Sequence, residues 1–506
     1  MRRETKQLIQ SYFDSLCPVL YIHHSDFAAV DEVIRHSAAH DAVFREYNNA
    51  LGLVYFDTKA PQHPYSLVDF LKAVSREPLP DDDDEDSPEV IIILKDIHDS
   101  INSPDVTAML RRIAEDSLYI PDYNAKIIIA DSKINIPFEL ENFITLIDVP
   151  LPDDEEIRDC VKSFSRSVGL KLSPKESEEL IFSLKGLSSF QINQVLSIAY
   201  QKGGNLGEAD RKFILEEKEQ MIKKSGILEM VNFDERINDI GGLENLKKWL
   251  TRKAKIFSRL DEARKHKVDI PGGVLILGMP GCGKSLTAKA TARLFNAPLI
   301  RLDVGRLMGK YVGESEDNMR RALRLAEAVS PCVLWVDELE KAFAGIGGDS
   351  SGVTTRLFGQ FLTWMQEKQS SVFVVATAND ISKLPPEFLR KGRFDELFFV
   401  DLPNGFERQK ILEIHLKKRD KFSASIDLQA VSRDTQGFNG ADLEGIIREA
   451  SETAFLDSKD EISTELLMSI RKETKSISDI QKEKIEAMRA SLKKYNIKPA
   501  NNPALA

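Results

Sequence analysis

From about residue 232 onward, short apolar runs alternate with longer amphipathic stretches. Residues 273–277 (Gly-Val-Leu-Ile-Leu), 332–336 (Cys-Val-Leu-Trp-Val) and 372–377 (Val-Phe-Val-Val-Ala-Thr) are apolar runs of strand length. Without polar alternation they read as parallel strands buried on both faces. Helix-period segments separate them, 315–329 most clearly. This alternation predicts an α/β fold with a doubly wound parallel sheet. The preceding part of the chain has the same rhythm, with strand candidates at 19–22, 52–56, 90–94 and 126–130.

The two parts also echo each other in detail. Ala130-Asp-Ser-Lys-Ile-Asn-Ile-Pro-Phe-Glu-Leu140 followed by Val149-Pro-Leu-Pro-Asp153 parallels Ala376-Thr-Ala-Asn-Asp-Ile-Ser-Lys-Leu-Pro-Pro-Glu-Phe-Leu389 followed by Val400-Asp-Leu-Pro-Asn404. Further on, Lys185-Gly-Leu-Ser-Ser-Phe-Gln-Ile192 parallels Gln436-Gly-Phe-Asn-Gly-Ala-Asp-Leu443, and a degenerate duplicate explains two ordered matches better than coincidence among proline-terminated strands does. The segment 216–226 reads as a polar helix ending at a glycine, a linker between the parts. The acidic run 81–88 reads as a solvated loop.

Composition adds bounds. The chain has 506 residues, 42% apolar and 29% charged, with a formal net charge of -11. That suits two or three globular domains and argues against a nucleic-acid partner. The cysteines, Cys17, Cys160, Cys282 and Cys332, form no CxxC pair and read as free thiols of a reducing compartment. The basic start leads into no apolar signal core, and no apolar run approaches the roughly 20 residues that span a bilayer. A cytoplasmic or organelle-stroma setting without a membrane partner is expected.

Candidate chemistry centres on Gly278-Met-Pro-Gly-Cys-Gly-Lys-Ser285, a GxxxxGK[ST] pattern directly after a predicted strand. In such a loop backbone N–H groups turn onto phosphate oxygens. Lys284 adds a point charge for the β- and γ-phosphates of ATP, and Ser285 offers a hydroxyl to Mg²⁺. Asp337 and Glu338 close the apolar run 332–336 at its carboxyl edge, where ligands of open α/β sheets sit. Asp337 is placed to reach Mg²⁺, and Glu338 to act as general base on a water. Asn379, after 372–377, is placed to hold that water or sense the γ-phosphate, though Asn also favours turns. Arg390 and Arg393 follow, either as charge stabilisers offered to a neighbouring subunit or as a solvated basic turn.

Together these residues resemble the AAA family of ATPases. The order of phosphate loop, acid pair, Asn379 and Leu389-Arg-Lys-Gly-Arg-Phe-Asp395 is the family's layout. The lead-in Ile237-Asn-Asp-Ile-Gly-Gly-Leu-Glu244 and the run Thr435-Gln-Gly-Phe-Asn-Gly-Ala-Asp-Leu443 belong to it too. The resemblance implies a P-loop NTPase domain over 232–402, a helical lid over 403–480 and a charged tail over 481–506. It implies that the backbone of Asp239, Ile240 and Gly241 lines the adenine pocket and that Ile411 and His415 contact adenosine. His415 is equally readable as a half-buried helix histidine. Gly440 and Ala441 would approach the nucleotide from the lid, and Pro280, Gly281, Cys282, Gly283 and Leu286 complete the nucleotide-binding loop. Lys310, Tyr311, Val312 and Gly313 resemble the loop that lines the pore of a homo-hexamer and grips an extended polypeptide; the alternative is that Tyr311 packs within its own subunit.

At full length the chain resembles the tandem AAA proteins encoded as conserved open reading frames in cyanobacteria and algal plastids, and their bacterial relatives. This implies a degenerate AAA-like α/β domain over 1–150, with its own lid and linker over 151–225, that keeps the fold without hydrolysis. No phosphate loop follows residues 19–22, Lys95-Asp96-Ile-His98 replaces Asp-Glu, and 137–143 lacks both arginines. An ATP-driven remodeller of a protein client is the expectation. A nucleotide-gated scaffold and, less well supported by the acidic charge, a nucleic-acid motor are the competing ones. No HExxH is present, which excludes a fused metalloprotease of that type.

Overall fold

Apolar runs of five to seven residues nucleate two separate sheets. The computed structural model describes the chain except residues 1, 14, 16, 25, 40, 41, 76–88, 121, 122, 124, 150, 205, 207, 225, 308–313, 344–350, 391, 459, 460, 496 and 502–506. The acidic run 81–88 and the expected pore residues Lys310, Tyr311, Val312 and Gly313 therefore lie outside the described residues. The chain divides into two units, residues 1–215 and 216–506. No helix among the described residues is long and apolar enough to cross a membrane.

The first unit carries β1 (Val19–His23), β2 (Val43–Asn48), β3 (Gly52–Val54), β4 (Pro61–His63), β5 (Val90–Lys95), β6 (Ala125–Asp131) and β7 (Ile144–Asp148). They form one sheet in the order β4-β3-β2-β5-β6-β1-β7. The five strands from β2 to β7 are parallel, and β3 and β4 append an antiparallel edge. The run 52–56, a strand candidate in the sequence, is thus only the short antiparallel strand β3, flanked by β2 and β4. The parallel strand is β2, whose Arg45 and Glu46 broke the apolar pattern that sequence reading relies on.

The second unit carries β8 (Leu228–Val231), β9 (Gly273–Gly278), β10 (Leu299–Leu302), β11 (Cys332–Val336), β12 (Val372–Ala378), β13 (Glu396–Val400) and β14 (Lys498–Pro499). The sheet order is β14-β13-β9-β12-β11-β10-β8. Within each unit the first parallel strand lies between the fourth and the fifth: β1 between β6 and β7, β9 between β12 and β13. The internal echo of the sequence is therefore matched by a shared topology.

Strand residues alternate between two apolar layers. Val274, Ile276, Val333, Trp335 and Phe373 pack with Ala288 and Ala292 of the helix Lys284–Phe295 and with Leu246 and Leu250 of the helix Glu244–Phe257. Leu275, Leu277, Leu334 and Val336 pack on the other side with Leu323, Leu357 and Phe361. Each such side chain stabilises by roughly 1.5–3 kcal/mol, so the carboxyl ends of β9, β11 and β12 are rigid platforms.

After β13 come the helices Gly405–Lys418, Leu428–Asp434, Gly440–Leu456 and Thr464–Glu473, closed around Leu412, Leu416, Val431, Phe438, Leu443 and Ile447. The first and third begin in capping boxes, Asn404 with Glu407 and Asn439 with Asp442. Residues 481–506, read from the sequence as a charged tail, contain a helix, Lys482–Tyr495, and then β14. Ile485 and Met488 on that helix are buried in the core, which anchors the otherwise charged segment.

Candidate nucleotide site

β9 runs directly into the glycine-rich turn. Gly281 (φ +74°) and Gly283 (φ +85°) adopt left-handed backbone that other residues enter at a cost. At Gly281 a Cβ would lie 2.6 Å from Asn439 Nδ2, so the close approach of the lid also demands glycine. The Lys284 ammonium is buried and donates to the carbonyls of Gly278 (2.9 Å) and Met279 (2.7 Å). Burial pulls its pKa down to about 8, against weaker opposing pulls from the nearby acids Glu340, Asp337 and Glu338. A cation desolvated in this way is primed for an anionic ligand. Burial pushes the Cys282 thiol up to about 12, which leaves it uncharged beside the loop.

The acid pair converges on the same point. Asp337 Oδ1 accepts from the Thr377 hydroxyl at 2.6 Å and from the Ser285 hydroxyl at 3.4 Å. Glu338 follows in left-handed backbone (φ +50°), its amide donating to Thr377 Oγ1 at 3.1 Å. Its carboxylate accepts from Asn379 Nδ2 at 3.3 Å and pairs with Lys341. Ends of three strands thus bring Lys284, Ser285, Asp337, Glu338 and Asn379 to one mouth.

The other wall of the roughly 1500 Å³ cavity holds the residues expected around a base. Asp239, Ile240, Gly241, Ile411, His415, Gly440 and Ala441 all line it, as do Pro280, Cys282 and Leu286. Gly241 abuts Ile411, where a Cβ would meet Ile411 Cγ1 at 2.4 Å. The buried Nδ1 of His415 has no hydrogen-bond partner among the described residues, and Glu444 Oε1 lies 3.6 Å away. Burial lowers the His415 pKa, so its ring is held neutral. An unsatisfied polar atom on an apolar wall suits a heterocycle with its own donors and acceptors. These donors fit a nucleoside triphosphate with a hard divalent cation: a cationic, amide-rich loop at one end, a hydroxyl and a carboxylate beside it, and an apolar slot at the other.

Arg390 and Arg393 are not among the residues lining this cavity. Arg390 is exposed, and Arg393 donates to the Leu362 carbonyl at 3.2 Å.

Sequence reading missed four supporting residues. Thr377 orients Asp337, as described. Asn439 donates to the Pro280 carbonyl at 3.1 Å, while Ala441 N donates to Gly281 O at 3.0 Å, tying lid to loop. Glu407 accepts from Leu243 N at 3.2 Å and from Asn501 Nδ2 at 2.7 Å. Asn501 also accepts, through Oδ1, from Asp401 N at 3.2 Å. The capping-box patterns hinted at Asn439 and Glu407; nothing local hinted at Asn501.

The first unit has a different arrangement at the corresponding edge. Lys95 closes β5 on the face of its sheet that carries the helix Phe27–Ser37, as Asp337 follows β11 on the face that carries the helix Lys284–Phe295. The buried Lys95 ammonium pairs with Asp31 (2.6 Å) and Glu46 (3.0 Å), and Lys59 bridges the same two acids. A neutralised ammonium occupies the place where the second unit offers a carboxylate.

The strand–loop–helix at Gly278–Ser285 and the acids after β11 define a phosphate-binding-loop NTPase with a helical lid. Family models agree. The model described as "ATPase family associated with various cellular activities (AAA)" matches residues 274–402, and an AAA+ lid domain matches 425–469. The N-terminal and second domains of SpoVK-like AAA ATPases match residues 5–149 and 154–225. The uncharacterized AAA domain-containing protein ycf46 of Guillardia theta is 41% identical over 387 residues, 76% of this chain and 75% of the relative. Its counterpart in Pyropia yezoensis is 38% identical over 433 residues, 85% of each chain. Cell division control protein 48 homolog C of Arabidopsis thaliana is 28% identical over 65% of this chain and 45% of its own length. The chain belongs to the AAA ATPase family.

Proposed function

We propose that the second unit binds ATP with Mg²⁺ and hydrolyses it, and that the energy released remodels a protein client. The observation that carries this reading is the convergence of Lys284, Ser285, Asp337, Glu338 and Asn379 at the ends of β9, β11 and β12. Lys284 and the amides of the loop hold phosphate oxygens. Ser285 and Asp337 hold the cation, which supplies Lewis-acid polarisation of the phosphoryl group. Glu338 takes a proton from water, and Asn379, hydrogen-bonded to that carboxylate, orients the pair. Ile240, Gly241, Ile411 and His415 form the slot for adenine.

Arg390 and Arg393 act in this reading on the site of a neighbouring subunit; their positions away from their own unit's cavity support it. That requires a ring, with Tyr311 and Val312 as its pore contacts. In the first unit, the Lys95 cluster supports a domain that keeps the fold without hydrolysis.

Phosphate release from ATP by the full chain tests the core of the reading. Glu338→Gln should slow it by about 10²–10⁴-fold while nucleotide stays bound, and Lys284→Ala should abolish nucleotide retention. Turnover by Lys284→Ala at the parental rate would overturn the assignment. The remodelling part is tested with a client captured on Glu338→Gln under ATP. If Tyr311→Ala remodels that client as fast as the parent, threading is wrong.

A second reading, a nucleotide-gated scaffold, is favoured by the ion-paired first unit, since a domain without turnover still forms contacts. In that case Glu338→Gln assembles and functions like the parent.

A further inference from the structure

The carboxyl edge of the first sheet holds a second cluster, on the face opposite Lys95. There Asp96, His98 and Asp131 each present a ligand atom, all within 4.8 Å of one another. We propose that these three residues bind a divalent first-row transition-metal ion.

The cluster is built rather than incidental. Asp131 is fully buried at the end of β6, an expensive place for a carboxylate without compensation. Its Oδ2 accepts from the His98 amide at 2.8 Å, and its Oδ1 lies 2.8 Å from His98 Nδ1 and 3.3 Å from the Lys133 amide. The loop carrying His98 is fixed from its other side by Asn135 Nδ2, which donates to the His98 carbonyl at 2.6 Å. Tyr21 ties down the 131–135 turn, donating to Lys133 O at 2.6 Å and accepting from Asn135 N at 3.3 Å. Asp96 is held in left-handed backbone (φ +55°) directly after β5. Lys95, the nearest cation in sequence, is engaged by Asp31 and Glu46 on the opposite face of the sheet. Two carboxylates and an imidazole therefore face one point, a donor set that suits a dication.

The geometry also limits which ions fit. Metal–nitrogen and metal–oxygen bonds of about 2.0–2.2 Å make ligand atoms 2.8 Å apart subtend close to a right angle at the ion. That is octahedral rather than tetrahedral geometry, and one imidazole with two carboxylates suits first-row dications such as Mn²⁺. Binding at Nδ1 displaces the proton shared with Asp131 and leaves Nε2–H facing Asp99 Oδ2, 3.5 Å away, as an outer carboxylate that orients the ring. Asp96 and His98 are only half-buried, which leaves the remaining coordination positions open to water.

The test uses the full-length, chelator-stripped, nucleotide-free protein titrated with Mn²⁺, following loss of the free-ion electron paramagnetic resonance signal. The parent should bind an ion that His98→Ala and the near-isosteric Asp96→Asn each lose, with apparent affinity falling more than tenfold. Asp99→Asn should weaken it by about 10-fold, as outer-shell changes do. Far-UV circular dichroism and ATP binding of the same variants report whether each unit has folded. A folded His98→Ala or Asp96→Asn protein that binds Mn²⁺ like the parent overturns the assignment, as does a parent that binds none. Since neither residue belongs to the nucleotide site, the result is independent of whether ATP is hydrolysed.

Discussion

The Thr377 hydroxyl donates to Asp337 Oδ1 at 2.6 Å and accepts from the Glu338 amide at 3.1 Å, so one side chain of β12 fixes both acids that follow β11. Thr377→Val keeps the shape and removes both bonds. Asp337 is then free to turn away from Ser285. The Mg²⁺ concentration that half-saturates ATPase activity should rise about 10- to 100-fold, as for other outer-shell changes, and an unchanged Mg²⁺ dependence would show that Thr377 orients nothing.

Lys284 gives a pH dependence. Its pKa in the nucleotide-free protein is about 8, below the usual lysine value, because burial disfavours the charged form. Below pH 8 the ammonium is charged and attracts phosphate; above it the free site loses that charge. ADP affinity measured calorimetrically should therefore fall as pH rises through 8, and Lys284→Met should remove this dependence. The stability effect has the opposite direction. Between pH 8 and the normal lysine range the unfolded chain binds the extra proton, so this group makes the nucleotide-free protein more stable as pH rises there.

Lys95 is the key of the first unit's charge cluster. Lys95→Met leaves Asp31 and the buried Glu46 with Lys59 as their remaining partner. Removing one member of a buried ion pair typically costs about 3–5 kcal/mol. Hydrogen exchange in β2 and β5 should accelerate accordingly, while ATP turnover by the second unit stays at the parental rate.

The chain end bears on the nucleotide site. Asn501 joins Glu407 of the first lid helix to the Asp401 backbone, and Asn245 Nδ2 donates to the Asn501 carbonyl at 2.8 Å. Asn501→Ala removes two side-chain hydrogen bonds, each worth about 0.5–1.5 kcal/mol. Denaturant unfolding of the second unit should show a loss of that order, with nucleotide affinity reduced several-fold. Wild-type values for both would show the docked end to be ornamental.

The phosphate loop, the acid pair and the buried strands were legible because each depends on adjacent residues. Glycines at 281 and 283 permit left-handed backbone wherever they stand, and an uninterrupted apolar run such as 332–336 signals burial on both faces without reference to its neighbours. What the chain order could not convey was which distant side chains meet. Thr377 is an ordinary strand residue until β12 pairs with β11. Asn501 is an ordinary polar residue until β14 pairs with β13. Strand β2 escaped notice because Glu46 breaks its apolar pattern, and Glu46 is tolerated because Lys95 and Lys59 both pair with it in the folded unit. Local backbone and burial demands are written residue by residue. Pairing of charges and hydrogen bonds across tens to hundreds of residues exists only once the sheets have closed, and that pairing decides which acids stand ready at the edge of each.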